Sequence, residues 1–463
     1  MPPPGPVSFI TPLHGHILIK AALLLELAST HNVENTSVVK PDETSANRPS
    51  LARSFGLGII TGAANDDCSA VGTYSQAGAA FGYSLLWTAP FIFPMMITVV
   101  YLSSKLGQVS GQGLFAAIRT NYSKALLYPI LVCVIIGNTI EAGADIGGIA
   151  AALHTLVPWP HQVLAAIVAL VSLVLQIWGS YRLISNTFRF LSLALLAYVA
   201  TLFLAHPAPK SIVAGVFHPG IAFNHDTLAI LVAMIGTSLS AYLFTWQSNQ
   251  EVEEKISAGQ VELRQRRGTT DQHLQRTLLD VVIGMFFSAL VMYSIIIATA
   301  ATLHASGQTS IQTAADAAKA LQPLAGRSAS LLFTLGIVGV GFLAIPVMTT
   351  GAAYDVCQSF RLRNGLDYRF RDAKAFYATI VGVMIAATSM NFIGINPMKA
   401  LVFAGIVQGF STPPLMLLVV IMTSSRRIMG NKANRSLSRL LGWATTALIS
   451  AASIALLWSS FAN

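Results

Sequence analysis

Charge is what this sequence has least of. Only 10% of its 463 residues are Asp, Glu, Lys or Arg, against roughly a quarter in a soluble globular domain. Such a surface cannot be covered in polar groups, which excludes a water-soluble fold of this size. Cysteine is scarce as well: Cys68, Cys133 and Cys357 are the three, too few and too scattered for a disulfide framework or a zinc motif. No nucleophile–base motif and no phosphate-binding glycine loop is present, which disfavours a membrane enzyme. The net charge of +9 is not a nucleic-acid footprint, because its basic residues sit in short loops between apolar runs and not in a groove.

What the chain has is apolar length. Hydrophobic residues make up 54% of it, and a membrane-spanning helix needs about 20 of them in a row. Eleven segments qualify: 54–80, 83–104, 125–155, 161–179, 183–205, 225–249, 276–303, 328–357, 374–392, 396–424 and 438–461. The fold class is therefore an all-α polytopic membrane protein in contact with a lipid bilayer. A shorter run, Ile17–Leu27, holds Lys20 and Glu26 and reads as an interfacial helix. Residues 1–50 are otherwise polar and read as a disordered tail. The charged stretch 250–275 reads as a loop with a short surface helix, and Glu251–Lys255 as a solvated helix end.

Basic residues mark the cytoplasmic side. With the N-terminus inside, only Lys210, Lys319, Arg327 and Lys399 of the 28 Lys and Arg fall outside, leaving 24 inside. Eleven spans then put the C-terminus outside.

Two spans are interrupted. The first carries Gly62, Asn65, Asp66, Asp67 and Ser69 in its middle, and the sixth carries Gly236, Thr237, Ser238 and Ser240. Non-helical backbone at membrane depth persists only where it is buried or lines a cavity. Interruptions at corresponding places of two halves mark the binding site of an inverted-repeat transporter. Each broken span opens a set of five, so the transporter core over 54–424 divides into halves 54–205 and 225–424, with 438–461 as an added eleventh helix. Asp67 offers charge, and Ser69, Thr237 and Ser240 offer neutral oxygens, while unwound carbonyls add partial negative charge.

The ionisable residues placed deep in the membrane are Asp66, Asp67, Glu141 and Asp145, with no Lys or Arg beside them. An all-acidic interior calls for a cation. Glu141 and Asp145 lie four apart, on one helix face. Two carboxyls so placed hold a proton more tightly than water would, which suits a proton relay or a second cation site; the alternative is hydrogen bonding to neighbouring helices. Asp66 either faces away from the site or adds a second carboxylate. Cys68 is either a soft ligand or a small filler at the break.

At these residues the chain resembles the Nramp family of divalent metal transporters. Gln76-Ala77-Gly78-Ala79 is followed by Gly82-Tyr83-Ser84-Leu85-Leu86-Trp87, as in that family, which places Asp67-Cys68-Ser69-Ala70 on its metal-binding Asp-Pro-Gly-Asn. Leu106-Gly107-Gln108-Val109-Ser110-Gly111 resembles the turn after its second span. Asp145, Asp280, Phe410 and Pro413 resemble its further markers in spans three, seven and ten. The resemblance implies a LeuT-type 5+5 inverted repeat with about 11 transmembrane helices, the first and sixth broken, and alternating access. It implies a metal site at Asp67, Ala70, Thr237, Ser240 and Ser411, a multi-pass place in a bacterial inner membrane, and a divalent ion carried as substrate with no cofactor.

The departures are specific. Ala70 stands where the family has the coordinating Asn, and Ser240-Ala241-Tyr242 stands for Met-Pro-His. Gly148 replaces the third-span Glu, and Ser411 the tenth-span Gln. Losing the sulfur and the amide leaves a roomier oxygen site, and such ligands suit magnesium, calcium and manganese. Magnesium keeps several waters, which a roomy pocket accommodates. This pattern resembles a divergent bacterial branch with magnesium-transporting members. The alternatives are an ordinary proton-coupled manganese or iron importer, or a LeuT-type carrier of an organic cation or amino acid. The last would need aromatic residues around the breaks, where only Tyr74, Tyr242 and Phe244 are near. A sensor that kept the fold would need a signalling domain, and none is visible.

Overall fold

The structure is a computed structural model. It describes residues 57–178, 196–205, 207–217, 224–311, 327–366 and 368–462. The tail 1–50, the Ile17–Leu27 run and most of the fifth expected span (183–205) lie outside the described residues.

Among the described residues the regular structure is entirely helical. In chain order the elements are α1 (Leu57–Asn65), α2 (Cys68–Phe81), α3 (Thr88–Ser110), α4 (Leu114–Asn121), α5 (Lys124–His154), α6 (His161–Trp178), α7 (Leu196–Leu204), α8 (Pro209–Phe217), α9 (His225–Ser238) and α10 (Ala241–Ser257). They continue with α11 (Asp271–Thr299), α12 (Arg327–Phe360), α13 (Lys374–Ser389), α14 (Pro397–Ser424) and α15 (Ser436–Ala462). Eight described stretches are long and apolar enough to cross a membrane. The first expected span is absent from that count because it is two short helices, α1 and α2. Helices are the natural solution here, since each satisfies its backbone internally where no water can.

The outward faces confirm what surrounds these helices. Leu170, Phe203, Ile385, Phe403, Ile454 and Trp458 are exposed, a cost in water that hydrocarbon removes. Inside, α12 packs on α5, α9 on α14, and α11 on α1. Small residues allow the closest approaches. A side chain at Gly62 would collide with the Gly284 backbone of α11, and one at Gly236 with the backbone of Gly405 and Gly409 of α14. Close backbone approach of this kind is how helices associate where the hydrophobic effect no longer drives packing.

The interruptions are short. Only Asp66 and Asp67 separate α1 from α2, and only Leu239 and Ser240 separate α9 from α10. Each is stable because the backbone groups it frees find partners. Asp67, with φ −65° and ψ −177°, caps α2 and accepts from Ala70 N at 2.7 Å. At the other break, Ser240 Oγ donates to Gly236 O and Thr237 O, both at 3.1 Å. Thr412 Oγ1 donates to Leu239 O at 2.8 Å, and Ala241 N donates to Gln408 Oε1 at 3.2 Å.

One expectation is overturned. Glu251–Lys255 is not a solvated helix end, because α10 runs on to Ser257 with Glu251 and Glu253 buried and Glu254 and Lys255 half-buried. Glu251 is buried and accepts from Gln108 Nε2 at 2.9 Å, from Gln247 Nε2 at 3.1 Å and from Ser104. Lys255 donates to the carbonyls of Gln108 (2.5 Å), Arg266 (2.7 Å) and Gly268 (2.8 Å). Polar neighbours on α3 supply what water would have supplied, so a charged run reads as surface in the sequence and is interior in the fold. The short surface helix expected in 250–275 is present at Leu263–Arg266.

Along its length α1 is held by three ties. Gly58 N donates to Asp280 Oδ2 at 2.6 Å, Thr61 Oγ1 to Gln247 Oε1 at 2.7 Å, and Asn65 Nδ2 to Ser288 Oγ at 2.9 Å.

Candidate metal-ion site

The two breaks meet. Tyr242, at the start of α10, donates its hydroxyl to Ala64 O at 2.7 Å and to Asp67 Oδ2 at 3.0 Å, bridging the end of one half-helix and the start of the next. Ser69 Oγ and Thr237 Oγ1 stand 3.0 Å apart across the two halves. The C-terminal ends of α1 and α9 turn their last carbonyls toward this region, adding the partial negative charge that helix ends carry.

Ser69 is the centre of the arrangement. Its Oγ is 2.7 Å from Asp67 Oδ1, 3.0 Å from Glu141 Oε1 and 3.0 Å from Thr237 Oγ1. Its backbone N–H donates to Asp145 Oδ1 at 3.1 Å. The single-face spacing of Glu141 and Asp145 on α5 thus brings both to one residue of α2. Ser240 Oγ adds a contact of 3.3 Å to Glu141 Oε1. A hydroxyl carries one hydrogen, so Ser69 and Thr237 supply two hydrogens for the three oxygen contacts at Ser69. A hydrogen shared between two acceptors, a proton on the cluster or a cation among its oxygens makes good the difference.

Asp66, Asp67, Glu141 and Asp145 are all fully buried, at 0% exposure. None has a Lys, Arg or His partner among the described residues. Glu141 Oε2 and Asp145 Oδ2 make no hydrogen bond among the described residues. Unpaired buried carboxylates are costly, so this cluster is built for something positive. Among the described residues no three His, Cys, Asp or Glu side chains close on one point as a metal clasp would. The Ser69 hydroxyl stands between the Asp67 and Glu141 carboxyls, an all-oxygen surrounding of the kind hard divalent ions take.

The other expected residues divide. Ala70 gives Asp67 its backbone N–H and presents only a methyl group, so no side-chain oxygen comes from there. Cys68 turns its Sγ toward α12, 3.5 Å from Ile337 O. Asp66 is tied to α11 through one of its oxygens. It accepts from Ser288 Oγ of α11 at 3.1 Å. Ser411 bonds to its own helix, to Gln408 O at 3.2 Å and Gln408 Oε1 at 2.9 Å.

Three residues went unread in the sequence. Gln408, one turn before Ser411, reaches the second break directly through Ala241 N. Its Nε2 donates to Asn138 Oδ1 at 3.4 Å, and Asn138 precedes Glu141 by one helical turn on the same face. That spacing was available in the sequence as a signal. Asp355 of α12 is a further fully buried carboxyl, beside Thr245 of α10, so the deep acidic residues number more than the four expected.

Comparison with known proteins identifies the family and the fold. The natural resistance-associated macrophage protein-like family matches residues 58–459. The divalent metal cation transporter MntH of Chromohalobacter salexigens is 26% identical over 415 residues, covering 88% of this chain and 91% of that protein. MntH of Aeromonas hydrophila is 27% identical over 380 residues, covering 81% and 88%. The solved manganese transporter of Eremococcus coleocola superposes with a TM-score of 0.70 at 19% identity, covering 91% of this chain and 89% of that one, a likeness of fold. A match that begins in the first half-helix and ends in the last span places the chain in the Nramp family, to which it belongs.

Proposed function

We propose that this chain is a secondary transporter carrying hard divalent cations, magnesium or manganese, by alternating access. The observation that carries the reading is the meeting of two helix breaks at a buried, wholly acidic cluster of oxygens with no basic partner. Asp67 supplies the central negative charge. Ser69, Thr237 and Ser240 supply neutral oxygens, and the carbonyls at the ends of α1 and α9 complete the surroundings. Glu141 and Asp145 carry a proton or a second positive charge, which keeps proton coupling open to this chain although Tyr242 and Gly148 stand at the family's His and Glu positions. Gln408 and Thr412 hold α14 against the second break.

Magnesium is favoured by ligand softness. The site contains no thioether and no amide at the Ser240 and Ala70 positions, and the Cys68 thiol points elsewhere. Oxygen ligands suit magnesium and manganese alike, and the room left at Ala70 and Ser240 accommodates an ion with water attached. The relatives named as divalent metal cation transporters support the substrate class. The basic-residue count favours an N-terminus in the cytoplasm and a C-terminus outside.

The test is ion flux into proteoliposomes loaded with dyes for magnesium, manganese and pH. Magnesium entry without acidification supports the wide oxygen site acting as a uniporter. Manganese entry with acidification and no magnesium entry assigns the ordinary proton-coupled behaviour of the family. Absence of any divalent flux, with folded protein, sinks the proposal.

A further inference from the structure

Beyond the ion pathway, the corner between α14 and α15 contains a cavity of about 660 Å³. Its lining includes Ser424, Asn431, Asn434 and three arginines, Arg426, Arg435 and Arg439, with no acidic side chain. Nearby Lys432 is engaged elsewhere, paired with Asp271 at 2.6 Å. The cavity is therefore lined by positive charge, and a guanidinium group is a planar fork suited to phosphate oxygens.

Its framework is fixed. Asn434 is buried; its backbone N donates to Thr423 O at 2.9 Å, its Nδ2 donates to Thr423 Oγ1 at 2.8 Å, and its Oδ1 accepts from Lys105 Nζ of α3 at 3.2 Å. Arg439 Nη2 donates to Asn434 O at 3.3 Å. Ser436, the first residue of the 27-residue α15, lines the cavity too, so the positive end of that helix faces it.

What adjoins the cavity decides the ligand. Leu437, Leu440 and Trp443 follow at helical spacing on α15, exposed by 37%, 65% and 44%. Tryptophan at such a place marks the boundary between headgroups and hydrocarbon. A free phosphate would use the arginines and ignore the apolar face, whereas a phospholipid uses both.

We propose that this cavity binds the phosphate headgroup of an anionic phospholipid, with its acyl chains lying along Leu437, Leu440 and Trp443. Basic pockets between spans on the side rich in Lys and Arg take headgroups in this way. Through Asn434 the bound lipid is linked to both α14 and α3.

The experiment titrates the purified full chain with phosphatidylglycerol, phosphatidylcholine and inorganic phosphate. Phosphatidylglycerol should bind most tightly, and the triple variant R426Q/R435Q/R439Q should bind it about 10²-fold more weakly. A second triple variant, R361Q/R363Q/R371Q, removes the same charge from another exposed loop and should bind as the unaltered chain does. Equal losses in both triples would reduce the effect to general surface charge, and full binding by the first would remove the site. Inorganic phosphate binding as tightly as the lipid would make it a phosphate pocket instead. Should the first triple fail to fold, Arg435→Gln and Arg439→Gln singly are read the same way, and unchanged binding in both overturns the proposal.

Discussion

Replacing Asp67 by asparagine removes one negative charge and little else. Asparagine caps a helix about as well as aspartate, so the bond from Ala70 N at 2.7 Å persists and α2 keeps its start. The new amide can donate to Tyr242 Oη, whose own hydrogen still reaches Ala64 O. The fold survives while the electrostatics change. A unit charge about 4 Å from another contributes roughly 4 kcal/mol at an effective dielectric of 20, and a divalent ion doubles that. Part of this is spent on stripping water from the ion, so we take about 4 kcal/mol as the net loss, or about 10³-fold in affinity. Isothermal titration of magnesium and manganese measures it, with thermal unfolding alongside. Asp67→Ala should lose the ion equally and should also unfold at lower temperature, because losing the cap costs about 0.5–2 kcal/mol. Asp67→Asn binding either ion with unaltered affinity would refute the assignment of Asp67 as the central charge. So would binding lost only in parallel with folding.

Three further outcomes are expected. Ser240→Met places a thioether beside the site and should shift preference toward manganese and cadmium; an unchanged selectivity series in flux assays would remove Ser240 from the ligands. Gln408→Leu strips Ala241 N of its acceptor and should reduce transport more than Ser411→Ala does, with a cost of about 1–3 kcal/mol for the orphaned amide; the reverse order would restore Ser411 as the tenth-span contact. Gly62→Leu drives a side chain into the Gly284 backbone and should lower the unfolding temperature by the equivalent of about 1–3 kcal/mol; an unaffected melt would mean α1 stands off α11.

The spans were legible because the bilayer imposes one length and one polarity on every crossing helix. The breaks were legible for a related reason: Asp66, Asp67 and Ser240 are residues that a smooth apolar helix does not place at mid-membrane. The Glu141–Asp145 pair came from helical spacing alone. Partnership between distant spans was not legible. Asp66 could not be assigned without knowing that Ser288 of α11 stands opposite, and Gln408 reads as an ordinary glutamine until Ala241 is found beside it. Glu251 misled because local charge density resembles surface, whereas Ser104, Gln108 and Gln247 make an interior that accepts it. Asp355 was overlooked within a long hydrophobic run. Ser411 was brought in by family resemblance, which transfers position and not the side chain's direction.

The seam between α1 and α11 has a mechanical consequence. Glycines at 58 and 62 bring the two backbones into contact, so at those two points parting the helices requires no side chain to leave a hole. What resists separation is a handful of polar ties, and each broken tie exposes donors and acceptors that water can occupy at once. Resistance therefore falls as separation proceeds. A joint of this kind releases like a zipper, reluctant at the first tooth and easier afterwards.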